Sequence, residues 1–123
     1  MTEIVYKIVT GLALAEARRI GRYTGSADDL RDGFIHLSAA DQLEGTLAKH
    51  FAGQSGLFLL AVDADKLGPD LRWEPSRGDA LFPHLYAPLP LNAVFWAEPI
   101  ELDAEGRHVL PRQVHLSPSG RGA

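Results

Sequence analysis

One uninterrupted apolar run constrains the fold of this chain more than any other feature. Residues 57–63 read LFLLAVD. The run is far too short to span a membrane, and it lacks the polar alternation that would place one face of a strand in water. Such a run is typical of a strand that is covered on both faces. We therefore predict that residues 57–63 form the central strand of the fold.

Two helices are predicted, and both lie in the first half of the chain. Residues 3–9, rich in β-branched side chains, predict the first strand. Thr10 then caps a helix that ends at Gly21, with an apolar face formed by Leu12, Ala15, Ala17 and Ile20. Ser38 caps a second helix over residues 39–51, in which Asp41 occupies a capping-box position and the apolar stripe is Ala40, Leu43, Leu47 and Phe51. The polar segment 22–33 between the helices predicts a connecting loop, and loops of this length are often functional.

The second half of the chain predicts short strands and turns. Strands are indicated at 71–74 and 92–102, followed by a hairpin that turns at Glu105 and Gly106. Three prolines reduce 84–91 to a short or edge strand, namely Pro83, Pro88 and Pro90. Two helices against five to seven strands indicate an α+β fold with a compact, mixed, mainly antiparallel β core, because helices do not follow each strand. We predict one domain over residues 1–115 and a flexible tail over residues 116–123.

Composition narrows the classes of function. The chain has 123 residues, a net charge of −4, and 12 lysines and arginines that are scattered along it. Because a duplex-binding surface shows a basic stripe, we expect no binding of duplex nucleic acid. The absence of cysteine excludes disulfides, thiolate metal sites and thiol nucleophiles. No secretory signal or apolar run of membrane-spanning length is visible, so the expectation is a cytoplasmic protein without a membrane partner. The oligomeric state stays open.

The segment DGFIHLS at 32–38 places polar groups in an apolar strand. In an extended strand Phe34, His36 and Ser38 share one face, while Ile35 and Leu37 point to the other. The aliphatic face predicts core, and the mixed face predicts the border of a cleft, since burying both polar groups without partners costs free energy. The alternative is a histidine bonded to a backbone carbonyl beside a serine that merely caps a helix.

Two further strands carry polar groups beside aromatic ones. Alternation places Arg72 and Glu74 on one face of residues 71–74, with Trp73 on the other. The segment FPHLY places Phe82, His84 and Tyr86 on one face. Aromatic walls with a few convergent polar groups are typical of a small-molecule site. Arg77, on a glycine-containing loop, suits capture of phosphate or carboxylate or belongs to a solvated turn. The remaining histidines, His50, His108 and His115, are interpreted as structural or exposed.

A family resemblance joins these segments. Residues 3–101 resemble the domain of unknown function 952 family. The resemblance rests on YKI near the start, the stretch from GRYTGS to LAKHF, LLAVD, LRWE and LFPHLYAPLPLNAV. That family is similar in turn to the ADP-ribosyltransferase-like fold, which includes RNA 2′-phosphotransferases. The resemblance implies that Tyr6 and Lys7 stand where the transferases carry Tyr-His, and that His36 and Ser38 belong to the VHLS-like strand. Lys7 thus replaces the histidine that holds the nicotinamide ribose, and the late catalytic glutamate has no assured counterpart among Glu74, Glu98 and Glu101.

The leading hypothesis from the sequence is a cleft that binds a nucleotide-like or phosphorylated small molecule, with ADP-ribosyl- or phosphotransferase-like activity and NAD as a candidate cofactor. His36 and His84 are the candidate acid–base groups. The candidate ligand-binding residues are Tyr6, Lys7, Ser38, Arg72, Trp73, Glu74, Arg77, Phe82 and Tyr86. One alternative is a metal-dependent hydrolase that uses His36, His84 and Glu74 as ligands. Another is a binding module without catalysis.

Overall fold

The fold combines antiparallel sheets with helices, and the computed structural model describes residues 3–116 of it. The β-strands are β1 Ile4–Thr10, β2 Arg22–Tyr23, β3 Ile35–His36, β4 Leu57–Asp63, β5 Leu71–Pro75, β6 Leu81–Leu85, β7 Leu89–Pro90, β8 Val94–Leu102 and β9 His108–Val109. The α-helices are α1 Gly11–Ile20, α2 Ala27–Asp32, α3 Leu43–His50 and α4 Arg112–Leu116, and 3-10 turns span Ala40–Gln42, Ala64–Asp70, Arg77–Asp79 and Leu91–Ala93. The sheets have the strand orders β1-β4-β8-β9, β3-β6-β5 and β2-β7, and all their pairings are antiparallel. The predicted α+β class is confirmed.

Strand β4 is the central strand that the apolar run predicts. It lies between β1 and β8, and its side chains alternate between two apolar clusters. Leu60 and Val62 pack in the cluster that contains Leu14 of α1. Leu59 and Ala61 pack in the other, with residues of α3 such as Leu43. Because a helix covers each face, a continuous apolar sequence is what this position requires.

A short bridge joins the first sheet to the second. Tyr6 N donates to Ser38 O at 2.8 Å, and Ser38 N donates to Tyr6 O at 2.9 Å. The bridge commits the backbone of Ser38 to strand pairing, so the prediction that Ser38 caps a helix is wrong. The cap is Ala39, whose N–H donates to the side chain of Gln42 at 2.9 Å, and the helix begins with the 3-10 turn Ala40–Gln42.

Helix α1 has the predicted ends but only part of the predicted face, since Ala17 alone of that face is buried. Ala13 N donates to the Thr10 hydroxyl at 3.1 Å, and Gly21 ends the helix in the left-handed region with φ 87°. The buried residues, however, are Leu14 and Ala17, whereas Leu12 is 87% exposed. A strip spaced by three residues faces the sheet, and Leu12 lies outside it.

The strands within the predicted segment 84–91 are short, since β6 ends at Leu85 and β7 is Leu89–Pro90, but proline did not confine β6 to an edge. Pro83 lies in the middle of β6, which has β3 on one side and β5 on the other. The Pro83 carbonyl accepts from Leu37 N at 3.0 Å, and in a strand the N and O of one residue point to the same side. The missing N–H of Pro83 is therefore directed toward the side where β3 ends, and the β5 ladder loses no donor.

The C-terminal segment of the described chain forms a hairpin and a short helix. Strands β8 and β9 form the expected hairpin through a turn in which Gly106 has φ 80°. Helix α4 follows, and its Val114 is buried in the cluster under α3. Residue 116, the first residue of the predicted flexible tail, is thus the last residue of a helix. Residues 117–123 lie outside the described part of the chain.

Candidate functional site

Helix α2 supplies the central group of the site, in a segment that the sequence predicted to be a loop. Ser26 and Asp29 form a reciprocal capping box, in which Asp29 N donates to the Ser26 hydroxyl at 3.2 Å and Ser26 N donates to the Asp29 carboxylate at 2.9 Å. The cap starts a helix of six residues that no apolar stripe would predict. It also turns the Asp29 side chain inward, where the residue is 2% exposed.

The Asp29 carboxylate holds two side chains in place, those of Lys7 and His36. Lys7 Nζ lies 3.0 Å from its Oδ2, and His36 Nδ1 lies 2.6 Å from its Oδ1. The His36 backbone N–H also donates to it at 3.1 Å, and Lys7 Nζ donates to the His36 carbonyl at 2.9 Å. A buried aspartate with this many donors is an organising group for the strand that carries His36.

These donors determine the ionisation of Asp29. Burial by itself raises the pKa of Asp29, but the His36 ring, the charge of Lys7 and two backbone N–H groups together outweigh it and hold the pKa well below its usual range. Burial lowers the pKa of the Lys7 ammonium, an effect that Asp29 opposes. Asp29 is therefore a permanent carboxylate at neutral pH.

The second ring nitrogen of His36 contacts another carboxylate. Its Nε2 lies 2.9 Å from Asp32 Oδ2, and the His36 and Asp32 side chains are 37% and 33% exposed. The hydrogen bond from Arg31, at 3.1 Å, lowers the pKa of Asp32, and the His36 contact acts in the same direction. Because carboxylates only accept, both contacts are hydrogen bonds when the ring carries both protons. In that form His36 is a cation fixed from two sides.

His84 is held differently, by one carboxylate on one nitrogen. Its Nδ1 lies 2.8 Å from Glu74 Oε1, which also accepts from the Tyr86 hydroxyl at 2.7 Å. The Tyr86 and His84 hydrogen bonds lower the pKa of Glu74. Within residues 3–116, Nε2 of His84 makes no such bond. The Phe34 ring stacks on His84 at 4.0 Å, and its contact with the His36 ring is 4.6 Å between centroids.

The two imidazoles share one cavity. Strand register pairs His36 with His84 across β3 and β6, and the ring centroids are 5.7 Å apart. The cavity has a volume of about 310 Å³. Six of the predicted site residues line it: Tyr6, Lys7, His36, Ser38, Phe82 and His84. The wall also contains residues that were not predicted as site residues, namely Asp28, Asp29, Arg31, Asp32, Thr46, Lys49 and His50.

The other predicted ligand-binding residues lie away from the cavity wall. Arg72 Cζ stacks over the Tyr86 ring at 4.6 Å on the outer surface, and Trp73 packs against the apolar cluster. Glu74 contacts the site through Nδ1 of His84, and Tyr86 does so through Glu74 and through the Phe34 ring, 5.2 Å away between centroids. The side chain of Arg77 lies outside the described part of the structure. Lys7 lines the cavity, but its ammonium is paired with Asp29.

The structure does not assemble His36, His84 and Glu74 as metal ligands. Both nitrogens of His36 face carboxylates of α2, and Glu74 is bound to Nδ1 of His84 and to Tyr86. Across the described residues, no three His, Asp or Glu side chains are grouped as a metal site. Glu98, considered as a late catalytic glutamate, accepts from Gln113 near α4 instead.

One carboxylate contact and one carbonyl contact predict opposite tautomers for two histidines, His84 and His108. Neutral His84 is expected to carry its proton on Nδ1, which faces Glu74. Neutral His108 is expected to carry it on Nε2, which lies 2.8 Å from the Gln54 carbonyl. Long-range ¹H–¹⁵N NMR spectra above the titration range of both rings distinguish the tautomers. A neutral His84 that carries its proton on Nε2 would contradict the arrangement at His84, and His108 serves as the reference for that tautomer.

Strand alternation could not predict Asp29, Asp32 and Lys49 as site residues, because all three lie on helices. One signal for Asp29 was available: Ser26 followed by an acidic residue at the third position is a capping-box pattern. Lys49 and His50 were visible in the last turn of α3, where cations complement the helix dipole. Nothing in their spacing indicated that this turn faces β3 and β6.

This geometry defines a small α+β protein with a cavity in which carboxylates orient two histidines. The chain belongs to the family described as protein of unknown function (DUF952), which it matches over residues 8–97. It is 49% identical to protein CC0527 from Caulobacter crescentus, whose crystal structure superposes with a TM-score of 0.86 over 91% of this chain and 98% of that chain. The solution NMR structure of CC0527 gives a TM-score of 0.81 over 93% of this chain and 98% of that chain. No curated protein matches the sequence. None of the helices within residues 3–116 is long and apolar enough to cross a membrane.

Proposed function

We propose that the cavity binds a phosphorylated small molecule of about mononucleotide size and that its two histidines catalyse transfer of the phosphoryl group to a hydroxyl group, whose oxygen forms a new bond to phosphorus and loses its proton as the bond to the leaving oxygen breaks and that oxygen gains a proton. The observation that carries this proposal is the pair of imidazoles, 5.7 Å apart on one cavity and each oriented by carboxylates. Orientation by a carboxylate fixes the tautomer and stabilises the charged ring, which is the arrangement that acid–base catalysis requires.

His84 has the features of a general base. With its Nδ1–H donated to Glu74, its Nε2 holds the lone pair, and Glu74 stabilises the imidazolium that forms when Nε2 accepts a proton. His36, flanked by Asp29 and Asp32, is the complementary acid, which in its doubly protonated form donates to the leaving oxygen of the ligand. The two rings thus have different roles because their carboxylate partners differ in number.

The charges on the wall favour an anionic ligand. Each carboxylate there has a cation within the protein: Asp29 pairs with Lys7, and both Asp28 and Asp32 pair with Arg31. Lys49 lines the cavity without an ion pair to any of the described residues. Hydroxyl groups of Ser38 and Thr46 lie 3.4 Å apart on the same wall. A phosphate group offers the charge and the acceptor oxygens that such a wall can bind.

The size of the cavity favours a phosphotransferase-type ligand over NAD. Its volume of about 310 Å³ lies at the lower end of the range of about 300–1,000 Å³ that is usual for small-molecule sites. Moreover, Lys7, which stands where the resembling transferases hold the nicotinamide ribose, is paired with Asp29. Both features favour one phosphorylated nucleoside-like group over a dinucleotide.

Titration calorimetry with AMP, adenosine, inorganic phosphate and NAD tests the proposed ligand class. We expect AMP to bind more tightly than adenosine, and Lys49→Gln to weaken AMP binding about three- to tenfold, the effect of one nearby charge across a partly hydrated cavity. Lys66→Gln is the matched control, since it removes the same charge from a residue that lies outside the cavity and bonds the Asn92 carbonyl. Equal affinity for AMP and adenosine, or equal effects of the two lysine variants, would contradict the proposal.

A further inference from the structure

The carboxylate of Asp32 occupies a position that is built for an anion. Its Oδ2 lies 2.9 Å from His36 Nε2 and its Oδ1 lies 3.1 Å from Arg31 Nε. Both donors line the cavity. We use the term anion position for the space that this carboxylate fills between His36 Nε2 and Arg31 Nε.

We propose that the anion position receives the phosphate group of the ligand, which displaces the Asp32 carboxylate from His36. This inference rests on the proposed function for the identity of the ligand, but the position itself is defined by protein groups alone. Asp32 is then an internal competitor of the ligand. Until phosphate binds, its carboxylate keeps His36 Nε2 and Arg31 Nε in the positions that the phosphate group would contact.

The two carboxylates that contact His36, those of Asp29 and Asp32, differ in burial and in the number of groups that hold them. The side chain of Asp29 is 1% exposed and accepts from Lys7, Ser26 and His36, so it cannot leave. The side chain of Asp32 is 33% exposed, and the groups it bonds, His36 and Arg31, both lie on the cavity wall. Because Asp29 holds Nδ1, the ring keeps its orientation, and Nε2–H stays directed at the anion position when Asp32 moves away.

Movement of Asp32 leaves helix α2 intact. The helix starts with the box of Ser26 and Asp29 and ends at Gly33, whose φ is 87° and whose N–H donates to the Asp29 carbonyl. Neither end uses the Asp32 side chain. Rotation of that side chain into solvent therefore costs only its two exposed contacts, which are weak in water.

The nature of the donors indicates phosphate as the preferred anion. A phosphate monoester carries a charge of about −1.5 to −2 and has three terminal oxygens, whereas Asp32 carries one charge. A charged imidazole and a guanidinium form shorter and stronger bonds to a doubly charged group. A phosphate group is therefore expected to bind these two donors more strongly than the Asp32 carboxylate does, as displacement requires.

The test is phosphate affinity in Asp32→Asn, with Asp28→Asn as the matched control. Both substitutions remove one charge from α2 and one partner from Arg31, but only Asp32 contacts His36. Removing the competitor is expected to strengthen binding of inorganic phosphate about tenfold, the size of one charge-assisted hydrogen bond. The control is expected to change it less than about twofold, as an exposed ion pair does. Asp32→Ala should reproduce the gain without an amide that could itself accept from His36.

Calorimetry and the ¹⁵N resonance of His36 Nε2 are measured during the same phosphate titration. A gain confined to the Asp32 variants together with a shift at His36 supports the anion position. The proposal is overturned by an equal gain in phosphate affinity in Asp28→Asn or by a loss of affinity in Asp32→Asn. It is also overturned if the His36 Nε2 resonance does not shift when phosphate binds. If AMP binds the wild-type protein but Asp32→Asn shows no gain, the anion position fails and the proposed function stands. If Asp32→Asn gains phosphate affinity while AMP never binds, the proposed function fails and the anion position stands.

Discussion

Asp29→Ala is expected to lower the free energy of unfolding by about 3–5 kcal/mol, the cost of removing one partner from a buried ion pair. The substitution leaves the Lys7 ammonium buried without its counter-ion, since that residue is 7% exposed. It also removes the acceptor of the His36 ring and of two backbone N–H groups, those of Ser26 and His36. Because domains of this size are stable by about 5–15 kcal/mol, the loss is a large part of the total.

Urea denaturation at pH 7, followed by circular dichroism, measures this effect. Asp28→Ala is the matched control on the same helix, because its carboxylate is 64% exposed and its ion pair is with exposed Arg31. It is expected to cost less than about 1 kcal/mol. Similar losses in the two variants would show that Asp29 does not have the organising role described above.

A second substitution separates the cost of the unpaired lysine from the loss of hydrogen bonds. Adding Lys7→Met to Asp29→Ala removes the buried ammonium, so the double variant is expected to be more stable than Asp29→Ala alone. In the wild-type background the same lysine substitution is expected to be destabilising, because it leaves the Asp29 carboxylate with one cation fewer. A double variant that shows the plain sum of the two losses would contradict a coupled pair.

Strand periodicity predicted much of the framework of the site. Alternation in FIHLS correctly assigned Ile35 and Leu37 to the core, where they are 4% and 2% exposed. The same rule placed His36 and His84 on polar faces of their strands, and pairing of β3 with β6 brings the two rings together. A period of two is robust because each side chain in a strand has only two directions.

The partners of these histidines could not be predicted in the same way. Asp29 reaches His36 from a helix of six residues, of which only Asp29 is buried, so no apolar stripe reveals it. Lys49 comes from the end of α3, and its approach depends on how α3 packs on β1 and β4 through Leu43 and Leu47. Such meetings are set by tertiary packing, whereas a sequence pattern reports only which face of each element is apolar.

Helix α1 shows the same limit within one element. Thr10 and Gly21 determine its ends through local hydrogen bonds and a left-handed backbone, and both were predicted from residue type. Its buried face depends on how the helix is rotated against the sheet, and the apolar residues Leu12 and Leu14 compete for that face. Local chemistry decided the boundaries, and tertiary packing decided the face.

Acidification is expected to destabilise the protein through the same carboxylate that Asp29→Ala removes. The pKa of Asp29 is lower in the folded protein than the value of about 3.9 in an unfolded chain. The unfolded state therefore binds the proton first as the pH falls, and the stabilisation is complete above about pH 5 and is lost progressively below it. For Asp29 alone the loss is expected to reach about 1 kcal/mol at pH 3 and about 2–3 kcal/mol at pH 2.

Other carboxylates add to this slope with the same sign. The pKa values of Asp32, Glu74 and Asp103 are also lowered in the folded protein, by Arg31, by Tyr86 and by the Arg107 backbone as the largest causes. These side chains are at least one-third exposed, so their contributions weaken with added salt. The contribution of Asp29 is expected to persist in 0.5 M NaCl, because its side chain is 1% exposed.

Urea midpoints between pH 7 and pH 2, at low and high salt, separate these contributions. Asp29→Asn keeps the shape of the side chain but cannot titrate, so its midpoint is expected to depend less on pH even though it is lower throughout. Asp28→Asn is expected to keep the wild-type slope, since that carboxylate pairs only at the surface. If Asp29→Asn lost stability on acidification as steeply as the wild-type protein, the buried carboxylate would not be the group that links folding of this site to pH. If it lost less, protonation of Asp29 would account for that part of the acid destabilisation, because Asp29 takes up the proton more readily in the unfolded state than in the folded state.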